Sequence, residues 1–80
     1  MEMMDYGAFL TDEQRIEIVN QRIVQLAAEA YQRNLNRDAA IAVGNEEEVA
    51  IADTALNQLR VTLNVHLMEL QKIKTRAEGE

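Results

Sequence analysis

Eighty residues with 14 acidic and eight basic side chains carry a formal charge of −6, which argues against direct contact with nucleic acid or anionic lipid, since both need a basic face. The lack of cysteine removes a disulfide framework, thiol redox chemistry and thiolate metal sites, and fits a reducing, cytoplasmic location. With no proline, three glycines and abundant Ala, Leu, Glu and Gln, the chain is expected to be all-α. It makes one domain over residues 1–80, near the size at which a single core is only marginally stabilising.

Residues 1–10 form an N-terminal arm. Met3, Met4, Tyr6, Phe9 and Leu10 share no period, and Phe9 and Leu10 are expected to tuck against the start of the first helix. The alternative is a docking segment that orders on a partner. Two acids and no basic side chain in this stretch do not make a secretion signal. No window approaches the roughly 18 apolar residues of a membrane span.

Thr11 followed by Gln14 has the form of a capping box, and Asp12 and Glu13 suit the positive end of a helix. Helix one is assigned to residues 12–43. Ile16, Val19, Ile23, Leu26, Ala27 and Ala30 make one apolar face, with Val24, Tyr31 and Leu35 beside it widening the stripe. Between 33 and 37 the pattern weakens, because Arg33, Asn34 and Arg37 occupy the angles that the seam needs. The helix either breaks near 34–37, with Asn36 capping a short piece that carries Ala39 to Val43, or runs on to Val43. The continuous form is favoured, since Asn is the only mild breaker.

Gly44-Asn45 is the clearest punctuation in the chain. Gly44 can take the left-handed position that ends a helix, Asn45 can cap the next one, and Glu46, Glu47 and Glu48 fill a first turn whose free amides favour acids. Helix two is assigned to residues 46–77, fraying through Glu78, Gly79 and Glu80. It carries the strongest pattern of all: Val49, Ala52, Leu56, Leu59, Leu63, His66, Leu70, Ile73 and Ala77 alternate steps of three and four, an apolar seam along one side of a helix.

Two long helices joined by a tight turn predict an antiparallel hairpin. Ile16, Val19, Ile23, Leu26 and Ala30 are expected to pack against Leu56, Leu59, Leu63, Leu70 and Ile73. Charge agrees with this arrangement, because folding about residue 44 brings Asp12, Glu13 and Glu17 toward Lys72, Lys74 and Arg76. A hairpin also leaves apolar surface over. At about 100° per residue Val61, Val65 and Met68 fall well away from the main seam. Val24, Ala28, Leu35 and Ala42 give helix one further apolar flanks. Pairing of two hairpins through Val61, Val65, Met68, Val24 and Leu35 would make a homodimer with a four-helix bundle architecture. The alternative is a monomer whose arm or 36–43 segment folds over the strip.

Little here points to chemistry. His66, within the seam, suits a buried or semi-buried neutral imidazole better than a pH switch or a shared metal ligand. His66-x-x-Glu69 reverses the Glu-x-x-His order of dinuclear metal bundles and has no counterpart elsewhere. The chain has no serine, no glycine-rich phosphate loop and no base placed beside a threonine. No catalytic residue, metal or cofactor is therefore expected. Glu46, Glu47, Glu48 and Asp53 form an acidic cluster that suits a well-capped helix start, or else a surface for a basic partner. Asn57, Asn64 and Gln71 line the seam's edge, and Arg33 and Arg37 stand one turn apart, suited to a solvated or intramolecular role or else to anchoring an acidic partner.

The leading functional expectation is a non-enzymatic protein–protein interaction module, an adaptor, regulator or inhibitor acting through helical faces on a protein partner. The runner-up is a structural or scaffold subunit whose self-assembly is its function. A third expectation, motivated by the net charge and the acidic cluster, is a DNA mimic that occupies a nucleic-acid-binding protein.

Overall fold

The computed structural model describes residues 6–79. Met3 and Met4 of the expected arm, with the rest of residues 1–5 and Glu80, lie outside the described residues. A single 3-10 turn, Tyr6–Phe9, precedes two long helices, α1 (Asp12–Ala42) and α2 (Glu46–Glu78), which lie antiparallel against each other. The result is a thin all-α hairpin measuring 54 × 32 × 16 Å.

Local chemistry sets both ends of α1. The Thr11 hydroxyl accepts the Gln14 amide at 3.1 Å, while the Gln14 side chain accepts the Thr11 amide at 2.9 Å, a reciprocal capping box. At the other end Gly44 adopts φ +73, a left-handed conformation that costs glycine nothing. The Gly44 amide then donates to the Ile41 carbonyl at 3.1 Å and the Asn45 amide to Ala40 at 2.9 Å, which satisfies two carbonyls that a helix end leaves open. Asn45 at once caps α2, its side chain accepting the Glu48 amide at 3.2 Å. Glu46, Glu47 and Glu48 occupy the first turn beyond it.

α1 is continuous, with no break near 34–37 and no cap at Asn36. The seam crosses that stretch by placing arginines in it. Arg37 is half-buried, and its guanidinium reaches out to the Asp53 carboxylate across the hairpin. The aliphatic stem fills the seam position while the charge stays at the edge, as long cationic side chains do. Arg33, one helical turn earlier, remains exposed. At the open end Arg76 of α2 donates to Asp12 at 2.8 Å. Asp12 thus meets the basic end of α2, in agreement with the antiparallel register.

The core is a single seam. Leu26 and Ile73 are 1% exposed, and Ala40 and Ala52 are buried near the turn, where small side chains let the helices approach. Ile16, Val19, Ile23, Ala30, Leu56, Leu59, Leu63 and Leu70 are only half-buried. One neighbouring helix covers one side of a residue, so a two-helix layer cannot enclose them. Ala27, expected in the packed face of α1, is exposed, and two further expectations need correction. Val24, Tyr31 and Leu35 do not widen the packed stripe; they are 67%, 68% and 50% exposed, because they sit about 140–180° around the helix from Leu26. Phe9 does not tuck against α1 but is 75% exposed. The arm is held instead through its backbone, with the Arg15 guanidinium donating to the Gly7 carbonyl and, at 2.8 Å, to Asp12. Leu10 is half-buried beside it.

Candidate interaction surfaces

Helix periodicity decides which side chains α2 offers to its surroundings. Val61, Val65 and Met68 are 59%, 59% and 71% exposed and stand roughly opposite the seam. Ile51, half-exposed, joins them on the same side. Ile51, Thr54, Gln58, Val61, Val65, Met68 and Lys72 alternate steps of three and four, so α2 carries a second heptad series on its outer side. Thr54 adds little polarity to it, since its hydroxyl donates back to the Ala50 carbonyl at 3.1 Å.

α1 repeats the arrangement. Glu17, Gln21, Val24, Ala28, Tyr31, Leu35, Asp38 and Ala42 alternate steps of four and three along the side turned away from α2, and all eight are exposed. Val24 and Leu35 are therefore not brought beside Val61, Val65 and Met68. The two strips occupy opposite edges of the hairpin. The membership of Ile51, and the mirrored series on α1, were open to detection by stepping the three-four spacing away from Val61 and from Val24. Polar members at Thr54, Gln58 and Gln21 interrupt the apolar run and hide it.

The acidic residues separate. Glu46, Glu47 and Glu48 are exposed at the start of α2, whereas Asp53 is engaged by Arg37. At the open end the hydrogen bond from Arg76, with that of Arg15, holds the Asp12 carboxyl below its ordinary range. His66 is half-buried at the seam's edge, and its Nδ1–H donates to the Thr62 carbonyl at 2.8 Å, the local bond that a helical histidine finds without a partner across the seam. Among the described residues no three His, Cys, Asp or Glu side chains are grouped to hold a metal ion.

A groove of 620 Å³ lies where Arg22, Glu29 and Arg33 of α1 stand across from Gln58 and Thr62 of α2. Arg33, at a seam position, is exposed along its wall, and Leu59 lines it as well. No side-chain nitrogen or oxygen of the described residues is buried without a hydrogen bond. No helix among the described residues is long and apolar enough to cross a membrane. Comparison with protein-family models, with curated proteins and with solved structures finds no match for this chain.

Proposed function

We propose that this chain is a non-enzymatic protein-interaction module, an adaptor, regulator or inhibitor in the cytoplasm, which binds through the outer sides of its two helices. The observation that carries this function is the pair of exposed apolar strips, Val24–Tyr31–Leu35 on α1 and Ile51–Val61–Val65–Met68 on α2. Scattered exposed apolar residues are ordinary on a protein surface, but heptad-spaced ones form a continuous ridge that another helix can cover. A hairpin with half of its seam in water also gains from any partner that thickens the layer. Self-association belongs to the same proposal: two hairpins paired as a homodimer make a four-helix unit, in a coiled-coil-like or bundle arrangement.

The test is affinity capture from the source cell with quantitative mass spectrometry, using the intact chain and a Val61→Glu/Val65→Glu variant as baits. Proteins recovered by the intact chain should be lost with the variant. Equal recovery by both baits would refute binding through this strip. Recovery of the chain alone would replace the adaptor by the second proposal, a scaffold subunit, which is favoured by the placement of the strips on two opposite edges. A DNA-mimic function draws less support, because Asp53 and Asp12 are neutralised by Arg37 and by Arg15 and Arg76. Of the acidic cluster, Glu46, Glu47 and Glu48 then remain without Asp53 as a short run.

A further inference from the structure

The outer strips of α1 and α2 match each other in a specific register. Inside the hairpin, Asp12 stands by Arg76 and Arg37 by Asp53, a register that also sets Leu26 opposite Leu63. Applied to the outer strips, the same register sets Val24 opposite Val65, Ala28 opposite Val61, and Gln21 opposite Met68. It also brings Glu17, at the acidic end of the α1 strip, to Lys72, at the basic end of the α2 strip. Leu35 falls opposite Thr54, Tyr31 opposite Gln58 and Asp38 opposite Ile51, so the apolar match lies in the half from Glu17 to Ala28. Small Ala28 faces branched Val61, so the helices can approach as they do near the turn, where alanines are buried.

The two ways of pairing like strips are poorer. Two α1 strips together carry Glu17 and Asp38 on each side with no basic residue among their eight members. Two α2 strips together leave Lys72 facing Thr54, and either arrangement leaves the other edge of each hairpin in water. Only a contact between unlike edges covers both strips with one kind of interface and one charge pair.

We propose that a second copy of this chain docks head to tail, the outer strip of its α2 against the outer strip of α1, in the register of the hairpin itself. This rests on the second proposal above, a scaffold subunit whose self-assembly is its function, and says how its copies join. The contact is heterologous, so each docked copy presents a fresh α1 edge on one side and a fresh α2 edge on the other. Successive copies then build a layer of alternating antiparallel helices, which closes as a ring or extends as a filament according to the rotation between neighbours.

Blocking one edge at a time tests this. Val24→Glu/Leu35→Glu closes the α1 edge and Val61→Glu/Val65→Glu the α2 edge. All four positions are at least half-exposed, so each variant should keep its helix content by circular dichroism. In sedimentation equilibrium the unmodified chain should associate beyond a dimer as concentration rises, and each blocked variant should stay monomeric, because no copy of it carries the edge that another copy's open edge needs. The critical sample is the mixture, where each variant's open edge meets its complement. Equal amounts should give a 1:1 species at twice the chain mass of 9.1 kDa, while either variant alone stays monomeric. Self-association of one blocked variant would overturn the proposal in favour of like-strip pairing. A mixture that remains monomeric, beside an unmodified chain that associates, would show that other surfaces carry the contact. Glu17→Lys should weaken association about two- to five-fold, and Lys72→Glu in the same chain should restore it; a double variant no better than the single one would overturn the register. If the unmodified chain is monomeric throughout yet still captures a foreign protein through Val61 and Val65, head-to-tail docking fails and the interaction module stands.

Discussion

The inner and outer sides of these two helices carry the same heptad spacing and meet different fates. The inner series buries Leu26 and Ile73 almost completely, whereas the outer series leaves Val24, Tyr31 and Met68 about two-thirds exposed or more. Spacing therefore decides which residues share a face, and composition decides which face finds a partner within the chain. The inner series of α2 is apolar at every position except His66, while the outer one is interrupted by Thr54 and Gln58. When a hairpin forms, the more continuous seam takes the covalently tethered neighbour and the weaker one is left for a partner that arrives by diffusion.

The contrast breaks most visibly at Leu26. Leu26→Ala removes a side chain that α2 fully covers and should cost about 2–5 kcal/mol in chemical unfolding. Val61→Ala, on the outer strip, should change the stability of the dilute chain by no more than about 0.5 kcal/mol. Leu63→Ala belongs between them, because Leu63 is half-buried and its site can partly refill with water or collapse. Equal costs at Leu26 and Val61 would show that the outer strip is covered even in dilute solution.

The turn comes next. Gly44→Ala puts a Cβ into open space, with no atom within 4 Å of it, but holds it at φ +73. The expected loss is therefore conformational, about 1 kcal/mol, without a steric clash. Asn45→Ala removes the side chain that caps α2 and should cost about as much. Thermal unfolding of both variants would sharpen the comparison. These changes act on the hairpin reversal alone and should leave association through the outer strips untouched once the chain is folded.

Much of the fold was legible in the sequence, for reasons that particular residues make clear. The α2 seam stood out because nine successive positions kept the repeat, and Gly44-Asn45 announced the reversal through the two residue types that a left-handed helix end and a cap require. The continuity of α1 was harder to read, because Arg33 and Arg37 sit at seam positions where a polarity pattern expects apolar groups. Arg37 fills its position with its stem and sends its charge to Asp53, an arrangement that depends on a residue distant in sequence. Phe9 was misplaced because a lone aromatic before a helix has no period to fix its direction. The surplus strip of Val61, Val65 and Met68 was visible from angles alone. Its position on the edge opposite that of Val24 and Leu35 was not, since it depends on where the seam of each helix points once the two are paired.

The smallest effect tests the open end of the hairpin against its covalently closed end. No chain connection holds Asp12 to Arg76; their hydrogen bond at 2.8 Å, with Arg15 on the same carboxylate oxygen, ties the start of α1 to the end of α2 and to the arm through Gly7. The hydrogen bond from Arg76 is the largest cause holding the Asp12 carboxyl below its ordinary value of 3.8. A carboxyl whose value is lowered by folding binds protons less readily in the fold than in the unfolded chain. Its contribution to stability is then complete above that ordinary value and is lost as pH falls through the lowered one. Urea midpoints of the intact chain and of Asp12→Asn, measured at neutral pH and through the acid range, should differ most at neutral pH and converge as pH falls through the lowered value of Asp12. The site faces solvent, so the difference should be small and should shrink further in high salt. A gap that stayed constant from neutral to acid pH would mean that the packing of residue 12, and not its charge, holds the open end together.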